Sequence, residues 1–431
     1  MAAVFTGKIT TLARIAAASA IVAVAAILCE SFPFPVAAQT VSGQDEGTVS
    51  VTAYGADPTG SRDSTQAFVQ AISSGKSIFV PPGHYAISNY DTLVLNHPNQ
   101  VLFGAGRDAS TLEYNGPCQQ GVQAGSYSAV TLTRPGDVVR NLAITSRTAE
   151  KCILIGIRMA SNHGLVDNVA VSQMWHVGIG VQGNHNSVLD SDIEYDHTGI
   201  YVGGDHQLVR GNYVSNHWST SGEPHPWTPQ SLYWDGIMSD GLTNSIIDSN
   251  TVEDNGQSGI YTGGKPFPSY GNVISFNIVR HNRNEGIDQG ISGTVDHNSN
   301  YIGHLVIVGN TSIDNFRRDI WLSEVDGAVI ADNNAEHTAN YSGWWARAVR
   351  KPYDTPIPCQ VWEVTTSSKS DNIIFVDNVC SQADSAYPAV LFDTSRGSVL
   401  GRNTIRGERR ISPDVDHNSN IILPDSDSRE Q

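Results

Sequence analysis

Short apolar strands punctuated by Gly, Asn and Asp recur along most of this chain. In the stretch Asp248–Gly264, a strand around Val252 follows Asn250, and a polar corner at Asp254, Asn255 and Gly256 turns the chain. A second strand then opens on Gly259-Ile260. The unit returns as Asn168 ahead of Val177-Gly-Ile179, Asp192 ahead of Thr198-Gly-Ile200, Asn212 ahead of Asp235-Gly-Ile237, and Asn277 ahead of Glu285-Gly-Ile287. Asn310, Asn334, Asn378 and Asn403 mark weaker copies. A spacing of roughly 20 to 40 residues is the period of a solenoid. Helical periodicity is absent, and β-branched residues dominate the short runs. One coil cannot bury its own apolar face, whereas stacked coils share a continuous core. Asn at a repeated corner tolerates left-handed backbone, and its amide can bond to the Asn one coil away. The pattern predicts an all-β fold, a right-handed parallel β-helix.

The start of the solenoid differs from the rest. Asp63 with Gln66 reads as a capping box, and Ala67, Phe68, Ala71 and Ile72 give a short helix one apolar face. Ser77–Val80, the turn Pro81-Pro-Gly83 and the strand to Ile87 follow. An open coil end exposes apolar surface and unpaired edges, so this helix is the expected N-terminal cap. Residues 51–87 resemble the N-terminal signature of the pectate-lyase-like superfamily. The resemblance is carried by Tyr54, Gly55, Ala56, Gly60, Asp63, Thr65, Ala67, Ala71, Ile72, Val80, Pro81, Gly83 and Tyr85. Ser61 departs from it, standing where that family often has a second acidic residue. The resemblance implies the fold and its capped start. It leaves the chemistry open, because hydrolases, lyases, epimerases and phage tailspikes share such segments.

Residues 1–38 read as a secretory signal peptide, with Lys8 and Arg14 before an apolar run ending at Cys29 and a small-residue site at Val36-Ala-Ala38. The run is too short for a membrane anchor, so a secreted or periplasmic location is expected. A flexible segment over 39–48, one β-helix domain over 49–423 and a loose tail over 424–431 complete the expected organisation. Asp and Glu number 43 against 26 Lys and Arg, a net charge of −17. That balance argues against nucleic acid or an anionic membrane as partner, and against a polyanionic substrate unless a local basic groove exists. Cys118, Cys152, Cys359 and Cys380 lack zinc-site spacing. In an exported chain they suggest disulfides, with Cys118–Cys152 and Cys359–Cys380 nearest in sequence.

Alignment of the coils on their Gly-Ile pairs yields columns. Ile points inward, so the next residue points outward, and that column reads Gly180, Tyr201, Met238, Tyr261, Asp288, Trp321. Two residues on it reads Gln182, Gly203, Asp240, Gly263, Gly290, Ser323, with glycines that clear space. An aromatic strip beside cleared space suits a sugar chain. The corner residue before Gly-Ile reads Val177, Thr198, Asp235, Ser258, Glu285, Arg318. Asp235 and Glu285 lie two coils apart, about 9.5 Å at one strand spacing per coil. Asp288, Glu285 and Asp235 are therefore the candidate catalytic carboxylates of a glycoside hydrolase, as acid and as base or nucleophile. Asp and Asn also fill β-helix corners for turn reasons alone, which is the competing account.

Tyr201, Asp240, Tyr261, Trp321 and the aromatic insertion with Trp218, Trp227 and Trp234 are the candidate sugar contacts. A second insertion reads from Asn340 to Trp362. Lys265, His281 and Arg283, with Arg280, form a basic cluster that would instead serve a lyase or C5-epimerase acting on a uronate. A hydrolase needs no cofactor and no metal ligands stand out; a lyase would call for calcium. The third account is a carbohydrate-binding solenoid without catalysis. The expected partner in each case is a polysaccharide or oligosaccharide, bound by a monomer or a homotrimer.

Overall fold

The computed structural model describes residues 47–116, 127–147, 154–194, 198–215, 235–263, 268–289, 302–338, 356–362, 370–392, 397–411, 420–423 and 426–427. Among these, three parallel sheets run the length of the molecule, and each coil contributes strands to sheets A, B and C in turn. One coil is Leu165–Asp167, Ala170–Ser172 and Trp175–Val181; the next begins again in sheet A at Ser187–Leu189. The first strand is Thr48–Ser50. The last paired residues are Ser426–Asp427, within the stretch expected to be a loose tail.

The aligned Gly-Ile pairs stack in register. Ile179, Ile200, Ile237, Ile260, Ile287 and Ile320 form one continuous inward column, each fully buried. Such burial contributes about 1.5–3 kcal/mol per side chain before conformational entropy is set against it. The preceding glycine faces the lumen as well. A Cβ on Gly259 would stand 2.4 Å from Cγ1 of Val279 and 2.7 Å from Nδ2 of Asn282. The pair is therefore a packing unit.

The corner between sheets A and B carries the expected ladder. Asn212 donates its side-chain amide to Oδ1 of Asn250, and the relay continues through Asn277, Asn310, Asn333 and Asn378 to Asn403 at 2.9–3.2 Å. A shorter ladder, Asn255–Asn282–Asn315, lines the corner between B and C at 2.7 and 2.8 Å. One expectation is corrected. Asn141 and Asn168 are left-handed and bonded to each other at 2.8 Å as expected, but from Asn212 on the left-handed residue at the A–B corner is the one before the ladder Asn, namely Gly211, Ser249, Phe276, Gly309, Asp332, Asp377 and Arg402. In these later coils the Asn side chain serves the ladder, and its neighbour makes the bend.

The helix spans Thr65–Ser73 and buries Ala67, Phe68, Ala71 and Ile72 against the first coils. Asp63 accepts from the Thr65 amide at 3.0 Å and from the Thr65 hydroxyl. The expected pairing of Asp63 with Gln66 is replaced by this local turn. At the other end, Cys359–Trp362 is a strand of sheet C, which corrects its reading as the end of an insertion. Cys359 is bonded to Cys380 across the lumen, joining one coil to the next. Cys118, Cys152 and the signal segment 1–38 lie outside the described residues.

Candidate active site

Sheet C builds the site. Its outward column stands in the expected order, and strand pairing extends it at both ends: Thr131, Arg158, Gly180, Tyr201, Met238, Tyr261, Asp288, Trp321, Gln360. The corner residues fold back beside this column. The Ser258 hydroxyl donates to Oδ2 of Asp288 at 3.2 Å, and the Ser258 amide donates to Oδ1 of Asp235 at 2.8 Å. Arg318 donates from Nη1 to Oε1 of Glu285 at 2.7 Å and from Nε to Oε1 of Gln360 at 2.6 Å. Its guanidinium lies 4.8 Å from the centre of the Trp321 ring. Arg317 Nη1 is 3.7 Å from the same Glu285 oxygen.

Asp235 and Asp288 thus meet at Ser258, with Glu285 held by Arg318 near enough for its charge to act on Asp288. Burial pushes Asp288 well above the ordinary carboxylate range, and the neighbouring charges of Glu285 and Asp235 push it further. Ser258 and Arg318 oppose this without overcoming it. Asp288 is 6% exposed and Glu285 has no exposed surface, so Asp288 is the one of these two that reaches the outer face. Oδ1 of Asp288 and Oε2 of Glu285 are buried and accept no hydrogen bond among the described residues. Asp288 therefore keeps its proton to higher pH than an ordinary carboxyl, and Glu285 is paired with Arg318.

The interior beneath these groups departs from the rest of the solenoid. The inward column two residues after each inward Ile, or the residue paired with it, reads Met159, Val181, Val202, then Ser239, Thr262, Gln289, then Leu322, Val361, Phe392. Thr262 donates to Gln289, and Gln289 donates to the main-chain oxygen of Asp288 at 2.8 Å. Among the described residues, this column turns polar in the three successive coils that carry Asp235, Ser258, and Glu285 with Asp288. Local rules broken at one place are the mark of a functional site.

Other expected residues fall into three groups. Tyr201, Tyr261 and Trp321 are partly exposed on the outward column. Gly263 clears no space, because the Tyr261 hydroxyl lies 2.2 Å from where its Cβ would stand; the ring covers its own strand. Arg280 belongs to sheet B and is paired with Glu253, and His281 Nδ1 stands 3.8 Å from Asp254 at the B–C corner. Arg283 lies in the B–C turn, two residues before Glu285. The expected basic cluster is therefore divided between a sheet and a turn. The Asp240 side chain, Lys265, Trp218, Trp227, Trp234 and Gly290 lie outside the described residues. Ser258, Arg317, Arg318 and Gln360 were missed as participants. Arg318 alone carried a signal, as the cation that succeeds Glu285 in the corner column.

A family model described as right handed beta helix region matches residues 155–302. The tail spike protein of Salmonella phage epsilon15 is 35% identical over 208 residues, 44% of this chain and 19% of that protein, so the chain spans about a fifth of that relative. Among solved structures, the Dettilon tailspike protein superimposes with a TM-score of 0.70 at 20% identity, covering 88% of this chain and 68% of that one. The A-module of mannuronan C-5 epimerase AlgE4 from Azotobacter vinelandii superimposes with a TM-score of 0.52 at 14% identity, covering 88% and 94%. At these identities the structural likenesses carry the fold alone. With the three parallel sheets and the capped start, they show a right-handed parallel β-helix, the fold that the N-terminal resemblance implies.

Proposed function

We propose that this protein is an exported glycoside hydrolase that cleaves a polysaccharide along sheet C. Asp288 is the proton donor to the leaving oxygen, and Asp235 is the carboxylate that activates water or attacks. Glu285 is a positioning residue whose charge, fixed by Arg318, keeps the proton on Asp288. The observation that carries this reading is the meeting of Asp235 and Asp288 at Ser258, with the charge of Glu285 close by and Asp288 on the outward column. Unequal proton affinities in neighbouring acids are what a glycosidase needs. Tyr201, Tyr261 and Trp321 offer ring faces to the sugar. A carbohydrate-acting role also agrees with the mannuronan epimerase among the structural neighbours. The Cys359–Cys380 bond suits an oxidising compartment.

A lyase or epimerase would need cations free to neutralise a uronate. The Arg280–Glu253 and His281–Asp254 pairings weaken that account. The test is a panel of polysaccharides treated with the purified chain, read for new reducing ends and for the ultraviolet absorbance of an unsaturated product. Reducing ends without absorbance, abolished by Asp288→Asn, are the expected result. Absorbance would mean a lyase. Retention of a glycan with no product would mean a binding solenoid.

A further inference from the structure

In five successive coils the residue before the inward Ile is a glycine: Gly178, Gly199, Gly236, Gly259 and Gly286. The next coil breaks the series with Asp319. Its side chain is fully buried and meets His337 of sheet B, also fully buried, with Nε2 3.1 Å from Oδ2. Oδ1 of Asp319 accepts from Nδ2 of Asn315 at 2.6 Å and so ends the B–C ladder that starts at Asn255. On the other side of the ring, Nδ1 of His337 lies 3.3 Å from Nε2 of Gln382, which donates to the Pro356 carbonyl at 2.7 Å. Main-chain bonds join the two stretches held in this way. The amides of Asp319 and Ile320 donate to the Pro358 carbonyl at 3.1 and 2.8 Å, and the Ile357 amide donates to the Arg317 carbonyl at 2.8 Å. One buried cluster therefore ties down the corner that carries Arg317 and Arg318.

We propose that Asp319 and His337 are positioning residues for the acid site, bracing the corner from the lumen so that Arg318 stays against Glu285 and Gln360. Strand alternation does not fix the direction of a corner side chain, so something else must. Arg318 is the longest side chain of the corner column, and holding it costs the most conformational freedom. A carboxylate anchored inward at the next residue fixes the main chain from which Arg318 departs, which a glycine there would leave free. The break in the glycine series falls on the coil that supplies the arginine, beside the coils with the polar lumen, and local rules give way where function requires it. This inference rests on the hydrolase reading of Asp288 and adds what keeps its neighbour in place.

The test is a double-variant cycle on the full chain in urea, which needs no substrate. Arg318→Met and His337→Leu are made singly and together. A brace predicts losses that are less than additive, because either change frees the same corner, whereas independent sites add. Additive losses would overturn the inference. If His337→Leu does not fold, Asp319→Gly, which gives this coil the glycine of the five before it, takes its place in the cycle. The second readout is the pH profile of reducing-end release from the panel polysaccharide that is cleaved. Arg318 opposes the rise of Asp288, so a displaced arginine should move the alkaline limb to higher pH by about one unit, the low end of what a nearby charge does. Arg318→Met is expected to move it the same way. His337→Gln, whose amide reaches where Nε2 stood, is expected to leave it near the parent. A limb unmoved in His337→Leu would remove the brace and leave the hydrolase standing. A chain that cleaves nothing in the panel would remove the hydrolase, and the urea cycle alone would then decide the brace.

Discussion

Arg318 donates to Glu285 at 2.7 Å, and both side chains are buried, at 4% and 0% exposure. A buried pair of this kind adds little stability over an apolar pair, yet removal of one partner strands the other's charge. Arg318→Met is therefore expected to cost about 3–5 kcal/mol in a denaturant titration. Addition of Glu285→Gln to that variant should recover much of the loss. A double variant no more stable than Arg318→Met would show that the arginine acts through Trp321 and Gln360 instead.

Asp288→Asn is nearly isosteric with the protonated acid, so the fold should persist while the proton donor is lost. A fall in kcat of about 10²–10⁴ is expected. The pH profile of the parent carries the sign. A general acid must hold its proton, so the rate should fall as pH rises through the raised Asp288 value, on the alkaline side of ordinary carboxylates. A profile in which activity climbs over that range would remove Asp288 from the acid role.

Stability should follow a related course. Burial pushes Asp137 up to about 6 despite hydrogen bonds from the amides of Arg134 and Gln100, and burial likewise raises Asp288 and Asp319. Each carboxyl binds protons more tightly folded than unfolded. Its contribution is complete below the unfolded value of about 3.9 and is lost as pH rises through the folded one. Asp57, Asp63, Asp205 and Glu253 are shifted down, and their stability is lost as pH falls through the folded values, on the acid side of the ordinary range. The unfolding midpoint is expected to decline between about pH 5 and pH 7. Asp137→Asn should make that decline shallower, which parallel titrations of the two proteins would read.

The architecture was legible because each coil repeats the same physical demand. Ile must fill the lumen, and Asn must bond to Asn, so the Gly-Ile alignment placed Tyr201, Met238, Tyr261, Asp288 and Trp321 in their observed column. The direction of the corner side chains was not legible, because alternation ends at a bend. Hence Ser258 and Arg318 were missed as partners of Asp288 and Glu285. Gly263 misled for another reason. A missing side chain signals space only if no neighbour leans into it, and rotamers such as that of Tyr261 are not written in a column of letters. Arg280 looked near the carboxylates in sequence, but its strand belongs to a different sheet.

Two glycines of the same strand motif make the last prediction. Gly259 precedes Ile260 and faces the lumen, where a Cβ would stand 2.4 Å from Val279, 2.7 Å from Asn282 and 2.9 Å from the Gly286 carbonyl. None of these can yield easily, since Val279 is core, Asn282 is in the ladder and the carbonyl is backbone. Gly180 follows Ile179 and faces outward, with its nearest neighbour at 3.5 Å. Gly259→Ala is expected to lose about 1–3 kcal/mol or more through overpacking, and Gly180→Ala to stay within about 0.5 kcal/mol of the parent. Urea unfolding of both variants would read the difference. Equal losses would mean that the Gly-Ile pair is required by backbone conformation, and that the inward and outward assignment of sheet C is wrong.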